Sequence, residues 1–178
     1  MSKRVLMLSS SPRKGGNSDT LCDQFMKGAI AANHHVDRVF LAEKKIHYCS
    51  GCCACQGNGK CVQKDDMADV LESMIAADVI VLATPVYFYT MCGQMKTAID
   101  RTFARYREVA NKEFYFLVTA AVSSKAALER TIEGFRGFTS CLKGAKEKGI
   151  VYGTGAWKAG DILATRAVKQ AYDMGRAV

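Results

Sequence analysis

Residues 9–18 carry the residue types that could bind a phosphate group. They read Ser-Ser-Ser-Pro-Arg-Lys-Gly-Gly-Asn-Ser and follow a short apolar run. Hydroxyl groups, an arginine and the backbone N–H groups that open a helix are the donors that a phosphate monoester needs. A simple helix-capping turn is the alternative interpretation, but the position after a buried strand favours phosphate. The predicted phosphate-binding residues are Ser9, Ser11, Arg13, Gly16, Asn17 and Ser18.

Residues 84–89 follow a second apolar run and suit a flat aromatic ring. They read Thr-Pro-Val-Tyr-Phe-Tyr, and we expect Pro85 to end the strand and turn the chain outward. An apolar loop packed on its own helix is the alternative interpretation. The predicted ring-binding residues are Pro85, Val86, Tyr87, Phe88 and Tyr89. Together the two segments predict a mononucleotide cofactor, and a flavin is the hypothesis that fits both.

Five of the eight cysteines lie close together between these segments. If Cys53 is left out, four of them have the spacing C-x2-C-x2-C-x5-C, which allows a tight loop to wrap one iron-sulfur cube. The predicted ligands of such a [4Fe-4S] cluster are Cys49, Cys52, Cys55 and Cys61. A zinc site and unmetallated thiols remain alternatives, although zinc sites usually pair two CxxC knuckles across a longer gap. The other three cysteines, which we expect to be packing residues, are Cys22, Cys92 and Cys141.

The composition excludes several other classes of protein. The formal net charge is +8, but the 25 lysines and arginines are spread along the chain and form no nucleic-acid-binding motif. We therefore expect no nucleic-acid partner, and a basic surface that attracts anions such as nicotinamide dinucleotides. No apolar run approaches the roughly 20 residues of a membrane span, and no secretory leader is seen, so we expect a cytoplasmic protein that does not enter a membrane.

Strand and helix patterns alternate along the whole chain. Apolar runs predict five strands, at residues 5–8, 36–41, 79–83, 114–121 and 150–152. Apolar residues at helical spacing predict helices from Asn17 and Asp65, around residues 95–103 and 128–135, and over residues 160–175. Because the strands are continuously apolar, both faces of the sheet must be buried. This predicts one α/β domain over residues 1–178, a three-layer doubly wound parallel sheet, with an irregular cysteine-rich insertion at about residues 47–63.

The order of the strands decides where a ligand would bind. Five strands in the order 2-1-3-4-5 reverse their winding between the first and third strands. In such sheets ligands bind beyond the carboxyl ends of the strands at this reversal. The two candidate loops follow the first and third strands, so the fold and the motifs predict the same crevice.

These motifs, taken in order, are similar to those of a known family. The chain resembles the NAD(P)H-dependent FMN reductase and iron-sulfur flavoprotein group of the flavodoxin-like superfamily. The resemblance rests on residues 11–18, on the cysteine loop running into residues 65–67, and on residues 85–101 and 155–162. It implies FMN as the cofactor, a third contact from Thr119 and Ala120, and a homodimer or homotetramer. Ser10 departs from the glycine that many relatives have there.

The resemblance also implies a reaction. NAD(P)H would reduce bound FMN, which would pass electrons to a small acceptor such as a quinone, free flavin or nitro compound. We expect no catalytic side chain for acid–base chemistry, because the cofactor performs the reaction. The alternative is an electron carrier in which FMN and a [4Fe-4S] cluster relay single electrons between redox proteins. A thiol-based sensor is a third hypothesis and rests on the cysteine content alone.

Overall fold

A parallel β-sheet forms the centre of the computed structural model, which describes residues 1–178. The strands are β1 (Arg4–Ser9), β2 (His35–Phe40), β3 (Val79–Tyr87), β4 (Thr90–Met91), β5 (Glu113–Thr119) and β6 (Lys146–Gly153). The helices are α1 (Asn17–Ala31), α2 (Met67–Ala76), α3 (Gly93–Arg101), α4 (Glu129–Ser140) and α5 (Ala167–Arg176). No helix is both long enough and apolar enough to cross a membrane.

The sheet contains six strands, one more than the sequence predicted. Five of them pair in parallel in the order β2-β1-β3-β5-β6, and the two-residue β4 pairs antiparallel with β3. The predicted order 2-1-3-4-5 is therefore corrected to 2-1-3-5-6. The additional strand forms because the chain folds back on the end of β3 directly after residues 88 and 89. A two-residue strand leaves no periodic signal in a sequence, since alternation needs at least four residues to be seen.

Both faces of the sheet are buried, as the continuous apolar runs indicated. Successive residues of a strand point to opposite faces, so each strand supplies two cores. In β1, Leu6 and Leu8 contribute to one core, while Val5 and Met7 contribute to the other. Helices α2, α3 and α4 cover the first core, and helices α1 and α5 cover the second.

The sequence predicted that the third strand ends at Pro85, and this prediction is wrong. The strand continues to Tyr87, and Pro85 pairs in register with Thr119 of β5. A proline is compatible with an extended backbone and is tolerated where a strand lacks a neighbour on one side, because no partner there needs its N–H. Here β1 has already ended opposite Ala83, so Pro85 has a strand on one side only. The change of direction comes later, at residues 88 and 89.

Three further expectations about helices and cysteines need correction. Phe103 lies beyond α3 in a short 3-10 helix and is 45% exposed, and the last α-helix begins at Ala167 instead of residue 160. Cys141 is exposed and is not a core residue.

Cys22 is fully buried, and burial raises the pKa of its thiol to about 12. Residues 47–63 contain no helix or strand.

Two glycines allow α1 and α5 to touch backbone to backbone. A Cβ atom added at Gly175 would overlap the carbonyl oxygen of Phe25, and one added at Gly28 would overlap that of Tyr172. Backbone atoms cannot move aside as a flexible side chain can. The two helices can therefore approach this closely only because both positions are glycine.

The substitution Gly175→Ala tests this contact. Overpacking a close contact costs about 1–3 kcal/mol, so we expect the free energy of unfolding to fall by about 2 kcal/mol in a urea titration. Gly137 in α4 is the matched control, because a Cβ there meets nothing within 4 Å. Gly137→Ala should stabilise by up to about 1 kcal/mol through helix propensity. Equal effects of the two substitutions would contradict the proposed role of the contact.

Candidate functional site

A crevice of about 190 Å³ opens where β1, β3 and β5 end. Ten of the thirteen residues predicted to bind the cofactor line it. They are Ser11, Arg13, Gly16, Asn17, Ser18, Pro85, Val86, Tyr87, Thr119 and Ala120. The other three, Ser9, Phe88 and Tyr89, do not line it. The two loops selected from the sequence therefore meet in one place, together with the end of β5.

Ser9 lies beneath the loop and holds it in place. Its hydroxyl donates to Oδ1 of Asp19 at 2.6 Å, and the Gly15 N–H donates to Oδ2 of the same carboxylate at 2.8 Å. Arg38 of β2 completes the arrangement with a bond of 2.7 Å from Nη2 to Asp19 Oδ1. Asp19 is 3% exposed, so one buried carboxylate joins the end of β1, the loop and β2.

The first turn of α1 offers unused hydrogen-bond donors to the crevice. Gly16 is the N-cap residue, and no side chain caps the helix. The N–H groups of Ser11, Asn17 and Ser18 have no hydrogen-bond partner in the chain. A Cβ at Gly16 would lie 3.0 Å from the Arg13 carbonyl oxygen, so the tight path of the loop favours glycine there. Free N–H groups at a helix start, beside Arg13, form an environment suited to an anion.

The Asn17 side chain is committed to another loop. Its Nδ2 donates to the Lys158 carbonyl at 2.9 Å, and its Oδ1 accepts from the N–H groups of Gly160 at 3.1 Å and Ile162 at 3.3 Å. These bonds fix residues 158–162 against residues 9–18, the predicted phosphate loop. As a result Trp157, which the sequence analysis did not select, lines the crevice although it is 69% exposed. The positive φ angles of Gly155 and Gly160 in the structure mark the turns that place it there.

The aromatic segment after β3 forms a hairpin. Val86 pairs with Met91 and Tyr87 with Thr90, so Phe88 and Tyr89 are the two central residues of the turn. Their φ angles are 49° and 64°, in the left-handed region that costs non-glycine residues about 1–2 kcal/mol each. The turn projects Phe88 fully into solvent and leaves only Tyr87 of the three aromatic residues on the crevice wall.

Buried polar contacts join the strand ends below the crevice. The hydroxyls of Ser18 and Thr119 lie 2.6 Å apart and connect α1 to β5. The Ser10 hydroxyl donates to the Ala83 carbonyl at 2.8 Å and connects β1 to β3. These short bonds fix the relative positions of the three loops that line the crevice.

The cysteine loop forms a separate small cavity. It has a volume of about 50 Å³, and the cysteines that line it are Cys49, Cys52, Cys53, Cys55 and Cys61. Burial raises the pKa of Cys55, and electrostatic repulsion from the neighbouring Cys61, Cys52 and Cys49 side chains adds to the effect. The Ala54 N–H, by contrast, lowers the pKa of Cys52. No three His, Cys, Asp or Glu side chains converge closely enough to hold a metal ion. The thiols are thus neighbours without forming a coordination geometry.

One arginine attaches both ends of this loop to the core. Arg101 donates from Nη1 to the His47 carbonyl at 2.6 Å and from both terminal nitrogens to Asp65, at 2.7 and 2.9 Å. Burial alone would raise the pKa of Asp65, but the Arg101 guanidinium and the His47 and Met67 N–H groups hold it below its usual value. The path of residues 47–65 is therefore set by an ion pair in the absence of secondary structure.

Residues 3–143 match the sequence profile of the family described as NADPH-dependent FMN reductase. The chain belongs to this family. The match includes the phosphate loop, the cysteine loop and the hairpin, and ends after α4. The family resemblance expected from the motifs is therefore confirmed.

Curated relatives of this FMN reductase family member include iron-sulfur flavoproteins. One from Archaeoglobus fulgidus is 42% identical over 91 residues, which cover 51% of the chain and 41% of the relative. The chain spans about half the length of the iron-sulfur flavoproteins that it matches. Bacillus subtilis YwqN, provisionally named an NAD(P)H-dependent FMN-containing oxidoreductase, is 25% identical over 169 residues, covering 90% of the chain and 89% of YwqN.

Solved structures confirm the flavodoxin-like α/β fold. The NAD(P)H:quinone oxidoreductase from Methanothermobacter marburgensis superposes with a TM-score of 0.77 over 99% of the chain and 96% of its own. The two sequences are 17% identical. This likeness concerns the fold and says nothing about the substrate.

We expect Asp19→Asn to lower the free energy of unfolding. The substitution leaves the buried Arg38 with only Asp23 as a charged partner, and breaking a buried ion pair costs about 3 kcal/mol. Asp23→Asn is the matched control, because Asp23 is half exposed and exposed pairs contribute less than about 1 kcal/mol. Urea unfolding of both variants checks this, and similar losses would show that Asp19 has no special role.

Proposed function

We propose that the chain binds FMN in the crevice and passes electrons from NAD(P)H to a small acceptor, such as a quinone, free flavin or nitro compound. One observation carries the proposal. The crevice combines backbone N–H groups that have no hydrogen-bond partner with a wall of apolar residues. Membership of a family described by NADPH-dependent FMN reduction supports it. We further propose that residues 1–178 act as a single flavin-binding domain.

The phosphate end of the crevice fits a phosphate monoester. The N–H groups of Ser11, Asn17 and Ser18 and the Arg13 guanidinium would bind the phosphate oxygens. Asn17 would contribute through its backbone, since its side chain already bonds residues 158–162. The Ser9 hydroxyl bonds Asp19, so its contribution would be to position the loop. The Arg13 guanidinium donates only to the Trp157 carbonyl, at 3.5 Å, so its charge remains available.

The other end of the crevice fits a flat ring. Pro85, Val86 and Tyr87 would lie along it, and Thr119 and Ala120 would approach from β5. Phe88 and Tyr89 would contribute by setting the path of the hairpin. When bound, FMN would supply the hydride-accepting and electron-donating chemistry. The crevice lining contains no Asp, Glu, His, Lys or Cys, which supports a protein contribution of binding and orientation.

We also propose that the chain forms homodimers or homotetramers. Trp157 lines the crevice and is 69% exposed, and Phe88 and Tyr89, which follow Tyr87 of the crevice wall, are 100% and 53% exposed. Large exposed apolar side chains grouped in this way are typical of a surface that meets a partner.

The eight cysteines are all free thiols, which fits the reducing cytoplasm as the compartment.

Titration with FMN and riboflavin tests the binding mode. We expect FMN to bind to the wild type more tightly than riboflavin, which lacks the phosphate. Arg13→Ala should weaken FMN binding by about tenfold or more, as for the loss of a charged hydrogen bond, and leave riboflavin binding unchanged. Lys14→Ala is the control, because Lys14 pairs with Glu43 and does not line the crevice. NADPH or NADH should then bleach the bound flavin. A flavin that stays oxidised at millimolar nicotinamide cofactor would refute the proposed reaction.

A second candidate function is single-electron transfer through an iron-sulfur cluster on the cysteine loop. Two observations favour it: five cysteines line one cavity, and several relatives carry the name iron-sulfur flavoprotein. Thiolates are the correct donors for such a cluster. Their arrangement in this structure does not fit one, however, since no three side chains converge. The geometry of the loop therefore supports no electron-transfer step through it.

Iron and sulfide analysis of anaerobically purified protein decides between the two candidates. If a cluster is bound, the double substitution Cys52→Ser and Cys55→Ser should abolish iron binding. Cys141→Ser should retain it, because Cys141 is exposed and lies outside the loop. Iron-free wild-type protein that still reduces FMN with NADPH would eliminate the single-electron carrier.

A further inference from the structure

A cavity larger than both the crevice and the cysteine-lined cavity lies against the end of the cysteine loop, at residues 58–65. Its volume is about 580 Å³, about three times the 190 Å³ of the crevice. It is lined by the end of the cysteine loop, by α2, by the last residue of α3 and by the chain that follows α3. It shares no lining residue with the crevice, so the proposed FMN site does not account for it.

The inner wall of this cavity is apolar. Met67 and Leu71 of α2 are buried in the core, and their side chains also reach the cavity together with Ala68 and Ala104. Small-molecule sites have volumes of about 300–1,000 Å³ and walls of this kind. The cavity therefore has the size and surface to accept a molecule as large as a bicyclic ring system.

The charged groups around the cavity leave positive charge unpaired. Every carboxylate in the lining already has a partner: Asp65 pairs with Arg101, and Glu72 and Glu108 both pair with Arg105. The two lysines in the lining, Lys60 and Lys64, form no side-chain hydrogen bond or ion pair. An anionic group would find these two ammonium groups among the lining side chains.

A buried donor in the same wall also lacks an acceptor. Arg101 is 4% exposed, and its terminal nitrogens are used by Asp65 and the His47 carbonyl. Its Nε has no oxygen or nitrogen acceptor, and only the Cys61 thiol, a weak acceptor, lies close to the guanidinium. A buried donor without an acceptor is destabilising, and a ligand oxygen could supply the missing acceptor.

We propose that this cavity binds a small apolar carboxylate, at a site separate from the flavin crevice. The apolar body lies against Met67, Ala68 and Leu71, and the carboxylate faces Lys60, Lys64 and Arg101. Apolar area supplies most of the binding free energy, and the unpaired cations select an anion over a neutral molecule of the same shape.

Calorimetric titration of the FMN-loaded protein with 2-naphthoate tests the site, and neutral 2-naphthamide serves as the comparison ligand. We expect saturable binding of naphthoate that is about tenfold tighter than that of naphthamide. Ala68→Trp fills the cavity from an exposed helix position, and Lys60→Glu with Lys64→Glu reverses the charge. Filling the cavity removes the room for the naphthalene ring, and reversing the charge removes the attraction for the carboxylate, so each change should weaken naphthoate binding by about tenfold or more.

Two matched controls keep the test specific. Ala76→Trp places the same side chain at another exposed position of α2, outside the lining, and Lys27→Glu changes a lysine on α1. Both should bind naphthoate as the wild type does. The proposal is overturned if naphthoate does not bind, if it displaces FMN, or if Ala68→Trp binds as tightly as Ala76→Trp. Equal binding of naphthamide and naphthoate would overturn the assignment to carboxylates.

Discussion

The buried carboxylate of Asp19 is the interaction on which the geometry of the crevice depends. It accepts hydrogen bonds from the end of β1 through Ser9, from the phosphate loop through Gly15, and from β2 through Arg38. A carboxylate is suited to this position because it has two oxygens and can accept several donors at once. Its charge is balanced by Arg38, which also stacks on Phe40 at 4.1 Å. The loop is therefore shaped before any ligand arrives.

This arrangement also explains how a negative group can lie so close to a proposed phosphate site. Asp19 is directed below the loop, where Arg38 neutralises it, and the free N–H groups of Asn17 and Ser18 face the crevice above. The helix start and Arg13 then dominate the local potential. The chain separates the charge that folds the loop from the charges that would bind the cofactor.

Most of the fold and the crevice could be predicted from sequence because the signals are local. Buried parallel strands give continuous apolar runs, and the loops after β1 and β3 are continuous segments of unusual composition. The hairpin at Phe88 and Tyr89 was missed because tight turns are normally recognised by Asn or Gly at positive φ, and here both positions are aromatic. The role of Asp19 was missed because an acidic residue in the first turn of a helix is common for other reasons. The 580 Å³ cavity joins residues 58–72 to residues 101–108, and no local pattern indicates such a meeting.

The Arg101–Asp65 ion pair affects how the cysteine loop should be understood. Small metal sites usually fold the loop that holds the metal, because the chain has no other source of order. Here both ends of the loop are already fixed, since Arg101 bonds the His47 carbonyl at one end and Asp65 at the other. Both side chains of the pair are at most 3% exposed, so solvent does not weaken it appreciably. The positions of the two loop ends are therefore set by this ion pair and its hydrogen bonds. Any metal would need to reorganise only residues 49–61, whose thiols are already gathered around one cavity.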